Sequence, residues 1–284
     1  MATGWVRIFV VLTAMLAMVV SGVGAEPMGK KTRAAAQRFA ANYSLFVLYH
    51  EVAHLLIDQL DFPVLGREED AADNMATWTM LNAGTPESHE ALADAAYGWL
   101  LSGIAYGSGI INGDYGAHTP DQQRSYQIVC LMVGSDDRAF RNLANEYALE
   151  RERQDSCFWD YKLIDRSMRT IIDSHVDKKV QSGGVEVTYH DVSGRLRTAA
   201  DAFRKSGVFD RVAAEVERQY PLRRRVAFNA KRCGEPNAFY DPMTVEIIFC
   251  YELMDELIAL AAKDMKLKGG LHPGPDLGFS RRNQ

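Results

Sequence analysis

The residues best suited to chemistry in this sequence are two histidines and a glutamate in the pentapeptide His50-Glu51-Val52-Ala53-His54. Side chains four residues apart lie on one face of an α-helix, so the two imidazoles can point at a common atom. Two imidazole nitrogens suit Zn²⁺, and the carboxylate of Glu51 lies close enough to take a proton from a metal-bound water. The pentapeptide therefore predicts a metal site with a general base beside it.

The residues around the pentapeptide favour a buried helix. Residues 43–49 and 52–57 are largely apolar, and no Gly or Pro interrupts them before Pro63. Apolar residues on nearly every side of a helix indicate that it lies inside a core. Buried histidine and glutamate side chains carry a desolvation cost, which metal coordination can offset. Two core histidines bonded to the backbone, with Glu51 at the helix edge, are the alternative. The complete pentapeptide favours the metal site.

A catalytic zinc site normally has three protein ligands and an open position for water. The three-histidine pattern of metzincins is absent, because Ile57 and Leu60 stand where that pattern requires Gly and His. A carboxylate from the next predicted helix is therefore expected, and the candidates are Glu68, Glu69, Asp70 and Asp73.

Glu69 and Asp73 are four residues apart and share a helical face. This spacing predicts that Glu69 binds the metal and that Asp73 accepts the free ring N–H of a ligating histidine. The alternative is that acidic residues at a helix N-terminus are solvated and favour the helix dipole, which accounts well for Glu68 and Asp70.

The first 25 residues have the pattern of an export signal. Arg7 precedes an apolar run over residues 8–20, and small residues follow up to Ala25. The run is short for a membrane span, so cleavage after Ala25 is expected, with a retained N-terminal anchor as the alternative. We therefore expect an exported protein, periplasmic or secreted, with no membrane span once the signal is removed.

Composition bears on partners and on redox state. The formal net charge is −5 and the pI is about 5.8, and the absence of a basic stripe argues against nucleic-acid binding. The 4 cysteines of an exported chain suggest two disulfides, for which three pairings exist. Cys233 and Cys250 flank a predicted hairpin, and Cys130 and Cys157 flank a helical segment, so these two pairs are favoured.

The sequence pattern predicts an α+β fold that is mainly helical, with the pentapeptide on a core helix and a small hairpin or sheet. Residues 26–175 would form the helical core with the metal site. Residues 176–268 would form an α/β segment packed on the same domain, and residues 269–284 a flexible tail. Helices are predicted over residues 43–57, 67–81, 85–101, 122–133 (capped by Thr119), 136–149, 155–175, 196–219 and 251–265, strands over 185–189 and 225–231, and a hairpin over 237–250.

Five stretches carry a family resemblance: His50 to His54, Pro63 to Asp73, His118 to Tyr126 with Cys130, Cys233 to Ala238, and Cys250 to Leu253. Together they resemble the DUF4344 metallopeptidase family. The resemblance covers most of the chain after the export signal, and the spacing Glu69-x-x-x-Asp73 is similar to the third-ligand helix of gluzincin peptidases. It implies a zincin-like, zinc-peptidase fold with one catalytic Zn²⁺ and a peptide or protein as substrate.

The resemblance also implies a hydrogen-bond donor that faces the developing oxyanion. His118 is the first candidate, followed by Tyr115, Arg124 and Tyr126, and a capping or surface hydrogen bond is an equal alternative for each. Gluzincins often align substrate along a strand at the edge of the cleft, a role open to the strand that begins at Asn237. In related peptidases such a strand precedes the metal helix, whereas here it follows, so a disulfide-stapled structural hairpin is the alternative.

Together these features predict a zinc-dependent metalloendopeptidase. His50, His54 and Glu69 would hold the ion, and Glu51 would move the proton from water to the leaving amine. Two other classes compete with this prediction: a non-catalytic, zinc-stabilised envelope protein that binds a partner, and a helical interaction module without metal. Glu51 argues against the first, because a structural site needs no base.

Overall fold

The computed structural model describes residues 28–106, 119–177 and 182–269. These residues form helices and one four-stranded sheet, which confirms the mainly helical α+β class. The elements are α1 (Lys30–Leu60), α2 (Glu68–Ala83), α3 (Pro86–Tyr106), α4 (Asp121–Ser135), α5 (Asp137–Glu146), α6 (Arg151–His175), β1 (Val185–Tyr189), α7 (Leu196–Ser206), α8 (Val208–Gln219), β2 (Val226–Lys231), β3 (Ala238–Asp241), β4 (Glu246–Cys250) and α9 (Tyr251–Lys268).

Helix α1 lies at the centre of the fold and carries the pentapeptide. It packs against α2, α3, α8, α9 and strand β3. Phe39, Phe46 and Leu55 along its length are almost completely buried, and burial of each such side chain stabilises the fold by about 2 kcal/mol. The helix ends where Asp61 adopts the left-handed conformation with φ 55°, which Asp tolerates better than most residues. The chain can then turn back, so that α2 packs on α1.

The sheet has the strand order β1-β2-β4-β3, with parallel pairs β1–β2 and β2–β4 and the predicted antiparallel hairpin β3–β4. Strand β3 is an edge strand and packs on α1. The N–H of Cys250 donates to the carbonyl of Asn237 at 3.0 Å. Because alternate residues of an antiparallel strand face the partner strand, the main-chain groups of Ala238 and Tyr240 lie on the outer edge of β3.

Several predicted helix boundaries are wrong. Helix α1 begins at Lys30 rather than at residue 43. The helix predicted over residues 196–219 is two helices, because Gly207, with φ 68°, ends α7 and begins α8. Thr119 does not cap α4; its hydroxyl donates to Asp70 of α2 instead.

Helix α4 continues beyond the predicted end at residue 133. Gly134 lies within it, where an added Cβ would be 2.2 Å from the carbonyl oxygen of Cys157. That glycine serves close packing of α4 on α6.

Both predicted disulfides are confirmed. Cys130–Cys157 joins α4 to α6, and Cys233–Cys250 joins the loop before β3 to the end of β4. Two disulfides fit an exported protein. None of the helices in the described part of the chain has the length and apolar character that a membrane crossing requires. The predicted export signal, residues 107–118 and residues 270–284 of the predicted tail lie outside the described residues.

Candidate metal centre

Helices α1 and α2 bring together the three predicted ligands. His50 and His54 are one turn apart on α1, and Glu69 lies in the first turn of α2. The two Nε2 atoms are 3.1 Å apart, and Oε2 of Glu69 is 3.1 Å from Nε2 of His50 and 3.4 Å from Nε2 of His54. The three side chains thus form a compact group that could hold a metal ion.

This spacing suits a tetrahedral ion. Ligand atoms at zinc distances of about 2.0–2.1 Å lie about 3.3 Å from one another at the corners of a tetrahedron, close to the separations of 3.1–3.4 Å found here. Asp73 and Glu68 face Nδ1 of His50 and His54, and ionised carboxylates only accept hydrogen bonds. Each Nδ1 therefore donates to its carboxylate, and the two Nε2 atoms and a carboxylate oxygen converge on one point, where a proton on Nε2 or a metal cation would stabilise them.

Both histidines have a carboxylate behind the ring. Oδ1 of Asp73 is 2.7 Å from Nδ1 of His50, as the sequence predicts, and Oε1 of Glu68 is 2.7 Å from Nδ1 of His54. Such carboxylates fix the tautomer and the orientation of a ligating histidine. Solvation in the first turn of α2 describes Glu68 only in part, because half of its side chain is exposed but its carboxylate also contacts His54.

Arg124 of α4 completes the network from the far side of Asp73. Its Nε and Nη2 donate to the two oxygens of Asp73 at 2.7 and 2.8 Å, and its guanidinium lies 3.5 Å from the ring centroid of Trp99. Burial acts to raise the pKa of Asp73, but the Arg124 charge and the hydrogen bond with His50 outweigh it and lower the pKa to about 2. Asp73 therefore stays ionised in the core.

The carboxylates of Asp73 and Glu69 raise the pKa of His50, whereas the pKa of Asp73 itself is lowered. Burial alone would lower the pKa of His50, but the hydrogen bonds to Asp73 and Glu69 raise the pKa to about 9. The surroundings of His50 thus favour positive charge at this position, whether from a proton or from a metal ion.

Glu51 lies beside the candidate ligands and lines the same cleft as Glu68 and Glu69. Its side chain is buried, and Oε2 accepts the main-chain N–H of Tyr240 at 2.9 Å. Burial raises the pKa of Glu51, while His50, His54 and the Tyr240 N–H act against the rise. A buried carboxylate with a raised pKa, next to a group that could bind metal, is a suitable general base.

Two openings meet at His50 and Glu51. One is a cleft of about 570 Å³ between the ligand residues and strand β3, which includes Tyr240 and Pro242 in its wall. The other is a cavity of about 210 Å³ whose walls are mostly apolar. Its apolar lining includes Val47, Trp99, Leu253, Leu257 and Leu260.

Two of the four candidate oxyanion donors, Arg124 and Tyr126, lie within the described residues. His118 and Tyr115 lie outside the described residues. Arg124 is held by Asp73 and lines the smaller cavity, whereas the partly exposed Tyr126 packs on the ring of Tyr147 and lines neither opening. The role given to His118 therefore stays a prediction.

Comparison with known families places this site in context. A family model, DUF4344, described as "Putative metallopeptidase", matches residues 20–172 and 189–269. The chain belongs to the DUF4344 family. No curated protein and no solved structure matches it. Membership of DUF4344 implies a metal ion and a possible peptidase role, and His50, His54 and Glu69 are a possible ligand group for that ion.

Proposed function

We propose that this DUF4344 member is an exported zinc metallopeptidase that cleaves peptide bonds within a chain. The observation that carries the proposal is the group of three converging ligand atoms, spaced for a tetrahedral ion, with Glu51 beside it at the meeting point of two openings. Two nitrogens and one carboxylate oxygen are a common set for catalytic zinc, and the cleft leaves a position for water.

The protein's own groups would orient the reaction. When bound, zinc would polarise the scissile carbonyl and lower the pKa of the attacking water. Glu51 would accept the proton of that water and deliver it to the leaving amine. Asp73 and Glu68 would hold the two imidazoles in place through their Nδ1–H groups. His118 is our candidate for the donor that faces the oxyanion.

Strand β3 supports a peptide as the substrate. Its outer edge faces the cleft, and the main-chain groups of Ala238 lie on that edge, where an extended peptide can pair with them. The smaller cavity beside His50 and Glu51 would take one apolar side chain of the peptide. A zinc-stabilised protein without activity remains the competing proposal, but it does not account for Glu51 or for the cleft.

Metal analysis of the purified protein tests the first half of the proposal. We expect about one zinc ion per wild-type chain and negligible zinc in His50→Ala, because a zinc site needs its three protein ligands. Equal, negligible zinc in both proteins would contradict the metal site.

Hydrolysis of a peptide library tests the second half. Glu51→Gln should keep its zinc and lose about 10²- to 10⁴-fold of the hydrolysis rate, the usual contribution of a general base. Glu215→Gln is the matched control, because Glu215 also bonds to α1, through the Tyr49 hydroxyl at 2.7 Å, but lies outside the cleft. Stoichiometric zinc with hydrolysis unchanged in Glu51→Gln would favour the non-catalytic protein.

A further inference from the structure

Strand β3 is tied to helix α1 at two points by a single residue, Tyr240. Its main-chain N–H donates to Oε2 of Glu51 at 2.9 Å, and its phenolic hydroxyl donates to Oδ2 of Asp58 at 2.6 Å. The side-chain amide of Gln59 donates to the same Asp58 oxygen at 2.7 Å. Asp58 is therefore held by two donors, one from its own helix and one from the sheet.

The two acceptors lie along one stripe of α1. Glu51 and Asp58 are seven residues apart, which is close to two helical turns and about 10 Å along the axis. Tyr240 therefore lies along the helix surface, with its backbone at the catalytic end and its hydroxyl at the C-terminal end. A residue held in this way can neither slide along α1 nor move away from it without losing a hydrogen bond.

We propose that Tyr240 is a positioning residue for Glu51. This inference rests on the proposed function only in taking Glu51 as the general base. The N–H of Tyr240 engages one carboxylate oxygen of Glu51, which leaves the other oxygen to meet the attacking water. The hydroxyl bond to Asp58 keeps that N–H in place.

Strand β3 needs such a tie because of its position in the fold. It has four residues, and within the described part of the chain β4 is its only partner strand, so no second strand fixes its outer edge there. The bond between Tyr240 and Asp58 supplies a substitute contact on that side. The tie also limits substrate pairing, because the outward N–H of Tyr240 is already used by Glu51 and the outward groups of Ala238 lie one step away from it.

A double-mutant cycle in the zinc-loaded full chain tests the role. Tyr240→Phe and Asp58→Ala each remove one side of the tie and keep the ring and the N–H of the strand. We expect each to lower kcat by about tenfold, to leave KM within about twofold, and to be no worse in combination, because both remove the same interaction. Tyr251→Phe is the matched control, since the Tyr251 hydroxyl donates to the His190 carbonyl outside the cleft.

Two results of the cycle would overturn the proposal. If Tyr240→Phe lowers kcat while Asp58→Ala does not, the hydroxyl acts on the substrate rather than through Asp58. If the two losses multiply in the double variant, the residues act independently.

Amide hydrogen exchange of the metal-free full chain provides a readout that does not need activity. The backbone amide at position 240 should exchange at least about tenfold faster in Tyr240→Phe and in Asp58→Ala than in wild type. The amide of Ile247 on β4 should keep its exchange rate. Unchanged exchange at Tyr240 would contradict the tie. Faster exchange in a protein that cleaves no peptide would support the tie and reject the proposed function, so the two failures can be told apart.

Discussion

The helical region over residues 30–175 and the α/β region over residues 185–268 each contain one disulfide, but they contribute differently to the candidate site. The helical region holds every candidate ligand and the carboxylates behind the histidines. The α/β region supplies strand β3 and part of the cavity wall, including Leu253 and Leu257. Its disulfide, Cys233–Cys250, spans the loop that leads into β3, whereas Cys130–Cys157 joins two helices away from the cleft.

The difference suggests that metal binding and substrate binding rest on separate structural supports. On the helical side, charges position the ligands: Arg124 fixes Asp73, and Asp73 fixes His50. On the α/β side, a short edge strand depends on a covalent bond and on Tyr240 for its position. Variants of the first kind should therefore change metal affinity, and variants of the second kind should change turnover or substrate preference at constant metal affinity.

Among the variants that compare the two regions, Asp73→Asn should have the largest effect. It removes the negative charge between His50 and Arg124 and leaves the buried guanidinium of Arg124 without its ion partner. Zinc affinity should fall by about 10- to 100-fold, and the free energy of unfolding should fall by about 3 kcal/mol. Competition with a zinc chelator measures the affinity, and urea unfolding measures the stability.

Glu68→Gln is the matched comparison for Asp73→Asn. Because half of the Glu68 side chain is exposed, the loss of zinc affinity in Glu68→Gln should be smaller. Equal losses in the two variants would contradict this ranking.

The second prediction concerns the two disulfides. Replacing either pair by serines should lower the free energy of unfolding by about 3 kcal/mol, because the closed loops are of similar length. Only the change at Cys233 and Cys250 should also lower kcat/KM, by about tenfold, since it frees the loop beside β3. Zinc affinity should be unchanged in both. If the variant at Cys130 and Cys157 lost as much kcat/KM under fully folded conditions, the two supports would not be separate.

A smaller effect is expected from filling the cavity beside Glu51. Leu260→Trp on α9 should raise KM by roughly tenfold for peptides with a large apolar residue next to the cleaved bond, with little change for peptides with a small residue there. Leu267→Trp is the control, because Leu267 is an exposed residue of the same helix. Steady-state kinetics on the two peptide sets measures these KM values. An equal rise in KM for both sets would rule out the cavity as the binding pocket for the large apolar residue.

The placement of the candidate ligand residues on one face of each helix could be predicted because it depends on local periodicity. The positions of His50 and His54 follow from one helical turn, and the shared face of Glu69 and Asp73 follows from another. The contact of Glu68 with His54 depends on how two helices pack, which no spacing within one helix encodes. The helix dipole alone can account for an acidic residue at the position of Glu68, but the packing of α2 on α1 gives that residue a partner in His54.

The α/β region was harder to predict because its roles depend on contacts between distant parts of the chain. Residue spacing predicts the hairpin, but the contacts of Tyr240 join residues more than 180 positions apart. Gly207 illustrates the same limit at the level of helices: the apolar pattern continues across it, and only the turn between α7 and α8 reveals the break. The same limit holds in the helical region for the salt bridge between Arg124 of α4 and Asp73 of α2, which no spacing within one helix predicts.

The last comparison is between two carboxylates of the helical region. The pKa of Asp94 on α3 is raised, whereas the pKa of Asp73 is lowered. Burial raises the pKa of Asp94 to about 7, although the amide of Asn42 donates to it at 2.7 Å. Because Asp94 ionises near the ordinary value of 3.8 in the unfolded chain, its contribution to folding stability should be fully present below pH 4 and should be lost as the pH rises through 7. Asp94→Asn cannot ionise, so it should match wild type at pH 4 and be more stable at pH 8, by on the order of 2 kcal/mol for a partly exposed group. Urea unfolding with a metal chelator across this pH range measures the difference, and a constant difference at every pH would show that Asp94 does not titrate in this way.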